Sequence, residues 1–142
     1  NRLFDISMPI GLNNPKYMRL REIWLELGHK LSIFEHTNAV AVLLRVLLEL
    51  SVDNYGKSSN LILNDNDKLS NKIQKVSGHL NANGKIDAKY LQELTKLQRN
   101  EEIISVNTLN RYVHSSTFDA SPRHLKMLWN TLSKLIIECV SV

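Results

Sequence analysis

Asn110, Arg111 and His114 form the densest group of side chains in this sequence that could act on a ligand. On a helix Asn110 and His114 lie four apart on one face, and Arg111 stands three before the histidine on the neighbouring face. An imidazole changes charge near neutral pH and can pass a proton, while a guanidinium can grip the oxygens of a phosphate. Ser115-Ser116 and then Ser121-Pro122 follow, and a helix opened by Ser121 would turn its first backbone N–H groups toward an anion. The plain structural alternative is that Asn110 and His114 tie a short helix to its neighbour by hydrogen bonds. A second polar pair, Arg45 and Glu49, interrupts an otherwise apolar stretch, four apart and therefore on one helix face. A charge within a core is costly unless partnered. Arg45 should therefore face Glu49, a residue of another helix or a bound anion, and the pair is either a buried ion pair or the polar wall of a groove.

Other chemistry finds no support in the spacing. The five glycines, at positions 11, 28, 56, 78 and 84, make neither a phosphate loop nor a dinucleotide fingerprint. His79, Asn81, Asn83, Gly84, Ile86 and Asp87 imitate part of a calcium loop, but its first and twelfth places hold His79 and Tyr90, where carboxylates are required. His29, His36, His79, His114 and His124 show no metal-ligand spacing with one another or with cysteine. No metal and no cofactor is expected. The single Cys139 cannot form an internal disulfide and falls on the apolar face of the last helix, which suits a small buried hydrophobe in a reducing cytoplasm better than a nucleophile.

Helices must position these groups. Asn14 followed by Pro15 starts the first, since asparagine can cap and proline loses no needed donor. Leu20, Ile23, Trp24, Leu27 and Leu31 then form one stripe, which Gly28 ends or loosens. From Thr37 to about Val52 the chain is apolar nearly all round and belongs at the centre of a bundle. The composition from Tyr55 to Asn66 predicts a loop, interrupted by Leu61-Ile62-Leu63. Leu69, Ile73, Val76 and Leu80 mark a helix closed at Asn83-Gly84. Asp87 caps the next, with Tyr90, Leu91, Leu94 and Leu97, which stops near Asn100. Ser105 caps a short helix holding Leu109, Tyr112 and Val113. Ser121-Pro122 starts the last, whose stripe is Leu125, Leu128, Trp129, Leu132, Ile136 and Cys139. With no strand alternation and no internal repeat, the expected fold class is all-α, a compact bundle of about six helices.

Across its 142 residues, 43% hydrophobic and 23% charged, the chain can bury a core without disulfides or a structural metal, so residues 1–142 are expected to form one helical domain. It opens Asn1-Arg2-Leu3-Phe4-Asp5, without an initiator methionine or a charged-then-apolar leader, and reads as the C-terminal part of a longer cytoplasmic protein. The longest apolar run, Ala39 to Leu50, is broken by Arg45 and Glu49 and falls short of the roughly 20 residues of a bilayer span, so no membrane role is expected. The net charge of +4 permits contact with RNA or DNA without requiring it. Short basic clusters occur at Lys16, Arg19 and Arg21, and around Arg111, Arg123, His124 and Lys126, against a plain alternative of a solvated basic surface.

Two segments resemble the HEPN superfamily, helical-bundle domains of prokaryotic defence, toxin and RNA-processing proteins. One is Asn38 to Leu50 (NAVAVLLRVLLEL), which is similar to the central helix of such domains with its inward arginine and glutamate. The other is Leu109 to His114 (LNRYVH) with the proline-started helix containing Trp129, which is similar to their terminal helical pair. Active members are metal-independent ribonucleases in which an arginine precedes a histidine by four to six intervening residues. Here Arg111 is separated from His114 by two, and Asn107, Thr108 and Leu109 supply no other arginine. The resemblance therefore implies a non-catalytic module, mediating assembly as a homodimer or with a partner subunit, or nucleic-acid contact, with Arg45, Glu49, Asn110 and Arg111 on the binding surface. A ribonuclease is the alternative, with His114 moving a proton at the RNA 2′-hydroxyl or leaving oxygen while Arg45 or Arg111 steadies the phosphate. A further alternative makes the Ser105 helix and the last helix a DNA-binding helix-turn-helix, although the Ser115 to Ala120 connection is longer than the usual turn.

Overall fold

The structure, a computed structural model, describes residues 1–98, 109–111 and 120–141. Helices α1 (Met18–Leu25), α2 (Thr37–Ser58), α3 (Leu69–Ala82), α4 (Ala88–Leu97) and α5 (Pro122–Cys139) are joined by helical backbone at 109–111, and the described residues contain no strand. The fold is an all-α bundle of about six helices.

Three helix starts are capped by the residues whose types suit that role. Asn14 Oδ1 accepts from the Lys16 backbone N–H at 3.1 Å, opening a 3₁₀ turn, Pro15–Tyr17, that runs into α1. Asp87 Oδ1 accepts from the Tyr90 N–H at 2.8 Å, and Ser121 Oγ accepts from the His124 N–H at 3.4 Å ahead of Pro122. Each satisfies a donor that the first helical turn would leave without a partner. At the other end of α3, Gly84 adopts φ 73°, and the N–H groups of Gly84 and Lys85 return to the carbonyls of Asn81 and Leu80 at 3.0 and 2.9 Å. Glycine closes the helix there because the left-handed conformation costs it nothing.

Helix α1 does not stop at Gly28. It continues as a wide turn, Glu26–Lys30, in which the Leu31 N–H reaches back five residues to the Glu26 carbonyl at 2.9 Å. A Cβ on Gly28 would lie 2.6 Å from Phe4 Cε1, so the glycine makes room for that ring. Phe4 in turn stacks on Trp129 of α5, with centroids 4.3 Å apart, and tilts against Trp24 of α1 at 4.6 Å. The start of the chain is thus clamped between the first and last helices.

The central helix is longer than its composition suggests. α2 runs through Tyr55, Gly56, Lys57 and Ser58, which the glycine and polar content assign to a loop. Tertiary contacts outweigh that weak local preference. Tyr55 is buried with its hydroxyl 2.7 Å from His79 Nδ1, Gly56 lies against Leu63, and Asn54 Nδ2 donates to the Cys139 carbonyl at 3.0 Å. Being apolar on most sides, α2 packs against α1, α3 and α5, most extensively against α5. Helix α4 reaches α5 through Tyr90, whose hydroxyl donates to the Thr131 carbonyl at 2.6 Å and accepts from the Leu135 N–H at 2.9 Å. Its partly buried ring and polar tip together fix the two helices in register.

Candidate functional site

Arg45 turns back along α2 to Glu49, with Nε and Nη2 at 2.8 and 2.7 Å from the same carboxylate oxygen. The arginine side chain is 17% exposed and the glutamate 42%. Of the partners open to Arg45 on sequence grounds, the one on its own helix is therefore realised, as a half-buried ion pair. Its remaining nitrogen, Nη1, is buried without a hydrogen-bond partner. Such an exposed-edge pair contributes about 0.3–0.5 kcal/mol, whereas a buried donor without an acceptor costs about 1–3 kcal/mol.

Leu109 is fully buried and anchors the short helical stretch 109–111, leaving Asn110 half-buried and Arg111 exposed. The Asn110 Oδ1 is buried and accepts no hydrogen bond. No hydrogen bond among the described residues joins Asn110 to Arg45 or Glu49. His114 lies outside the described residues, as do Ser105, Tyr112, Val113, Ser115 and Ser116.

Other groups singled out by type have structural partners. Burial pushes the Cys139 thiol well above its ordinary value, and neighbouring Glu138 adds to the effect, so the sulfur is a protonated core atom. His79 Nδ1 meets Tyr55 and, at 3.2 Å, Asn83, while Asn81 Nδ2 donates to the Ile86 carbonyl at 3.1 Å. The side chains that mimic a calcium loop thus close the end of α3. Among the described residues no group of three or more His, Cys, Asp or Glu could hold a metal ion, and no helix is long and apolar enough to cross a membrane.

A cleft of about 310 Å³ opens where the start of α1 meets the end of α2, lined by Lys16, Tyr17, Arg19, Asp53, Asn54 and Lys57 above Leu20 and Leu50. Lys16, Arg19 and Lys57 are all exposed, and no ion pair among the described residues engages them. The carboxylate of Asp53 is taken by Lys72 at 3.1 Å. At the floor, burial alone would raise the Tyr17 pKa, but hydrogen bonds with Asn54 and Lys16, the Lys16 charge and a further bond with Ser58 bring it below the ordinary value. The Lys16 ammonium also sits 4.9 Å from the Tyr17 ring centre. Sequence reasoning marks Lys16 and Arg19 as a basic cluster but misses Lys57, which reads as loop and reaches the cleft only because α2 continues to Ser58.

Fold and site together define an all-α bundle with an ion pair on its central helix and a basic cleft at one edge. Set against known proteins, the chain matches no family model, no curated protein and no solved structure.

Proposed function

We propose that this chain is a non-catalytic HEPN-like helical module of a prokaryotic defence or nucleic-acid-processing protein, acting in the cytoplasm through assembly and nucleic-acid contact. The observation that carries the proposal is the Arg45–Glu49 pair on a central helix packed along the proline-started α5. An arginine that stabilises a scissile phosphate must aim its N–H groups at the oxygens where charge develops. Here two of the three guanidinium nitrogens address Glu49, and the carboxylate beside them would repel a phosphate. The short spacing from Arg111 to His114 favours the same conclusion.

Incubating the purified chain with RNA, with and without a chelator, separates the readings. Intact RNA that migrates more slowly with the protein is the expected result. Chelator-resistant cleavage that disappears in His114→Ala would instead establish the metal-independent ribonuclease. RNA and DNA that are both left intact and unshifted would remove nucleic-acid contact from the proposal.

A further inference from the structure

We propose that the cleft between the start of α1 and the end of α2 binds a phosphate group, with Lys16, Arg19 and Lys57 supplying its positive field. The proposal deepens the preceding one, and rests on it only in taking a nucleic-acid strand as the source of the phosphate.

Three cations, from the 3₁₀ turn before α1, from α1 itself and from the end of α2, line one concavity, and its one carboxylate, Asp53, is bonded to Lys72. Like charges held together repel one another, and an anion seated among them offsets that repulsion. Leu20, Leu50 and the Tyr17 ring line the same cleft, and such low-dielectric surface focuses the field of the cations beside it. Tyr17 and Asn54 also line the cleft, and hydrogen bonds with Asn54, Lys16 and Ser58 hold the Tyr17 hydroxyl in place beside the charges. A sequence-independent contact of this kind orients a strand without reading its bases.

The test measures binding of a fluorescein-labelled 12-nucleotide RNA by anisotropy over a salt series. Amide shifts at residues 16–20 and 54–58 are followed in parallel while inorganic phosphate is added. Wild-type protein should bind the strand with a salt slope to which the cleft contributes about −0.7, the value for one phosphate contact on a single strand. Replacing all three cations, by Lys16→Ala, Arg19→Ala and Lys57→Ala together, should reduce the slope by about 0.7 and weaken low-salt binding at least about tenfold. A control removing the same charge elsewhere, Lys85→Ala, Lys89→Ala and Lys96→Ala, should leave both nearly unchanged. All six side chains are exposed, so folding should persist. If the triple variant does not melt like wild type, the single reversal Lys57→Glu supplies the same comparison. Wild-type binding by the cleft variant, or an equal loss in the control, overturns the proposal. Phosphate-induced shifts at the cleft without strand binding would keep the site and discard the nucleic-acid reading. The absence of both strand binding and phosphate-induced shifts would overturn the site itself.

Discussion

Gly28 shows how one missing methyl group shapes the molecule. A Cβ there would press on Phe4, whose ring is held between Trp24 and Trp129 and has little room to retreat. Gly28→Ala should therefore lower the unfolding free energy in urea by about 1–3 kcal/mol, the usual range for overpacking. A smaller neighbour, Phe4→Leu, should make the alanine cheaper. Additive losses in the double variant would contradict the contact. At Tyr90 one hydroxyl serves both a carbonyl and an N–H of α5, so Tyr90→Phe should cost about 1–3 kcal/mol, read by the same denaturation. Burial raises the pKa of both Tyr90 and Cys139 in the folded state. The unfolded chain releases these protons first. Stability should thus be unaffected by the two groups below pH 9.0, the ordinary thiol value, and decline above it. Each group adds a slope of about 1.4 kcal/mol per pH unit while only the unfolded form is ionised. Cys139→Val should remove the earlier part of that decline in alkaline melting curves.

Within single helices, the contrast between α2 and α5 separates charge from capping. On α2 the two halves of the ion pair are unequal. Glu49→Gln leaves a half-buried guanidinium without its counter-charge, whereas Arg45→Leu removes the charge together with the donor that lacks an acceptor. Chemical denaturation should find the first variant destabilised and the second neutral or more stable than wild type. The reverse order would show that Arg45 has an acceptor that Glu49 does not provide. At the head of α5, Ser121→Ala deletes the oxygen that receives the His124 N–H and should cost about 1 kcal/mol. Both features are legible from local rules, since an i,i+4 pair and a serine-proline start depend on residues within one turn. The end of α2 is not. Gly56, Ser58 and Ser59 argue for a loop on propensity, and the helix persists because Tyr55 and Asn54 find partners 24 and 85 residues away.

Across the whole molecule, the chain start, α1 and α5 meet in one aromatic cluster. Phe4→Ala should cost about 3–5 kcal/mol, as for a buried phenylalanine, and red-shift the emission of Trp24 and Trp129 as water reaches them. Unchanged emission would mean that the cluster closes without Phe4. The opening residues carry no periodic pattern, and hence no local signal that they belong to the core. The cleft is likewise a property of the assembled bundle, because its cations come from the 3₁₀ turn and first turn that open α1 and from the last turn of α2.

Taken by itself, the sequence determines the all-helical class, most helix starts, the closing turn at Gly84, the apolar stripes and the shared helix face of Arg45 and Glu49. These follow from capping chemistry and the 3.6-residue period, which act over four or five residues. Only the tertiary structure decides that α2 extends to Ser58, that Phe4 fills the gap left by Gly28, and that Tyr90 bonds the backbone of α5. It alone gathers Lys16, Arg19 and Lys57 around one cleft. Those outcomes join residues far apart in the chain, and they arise from burial and polar satisfaction, which no local pattern encodes.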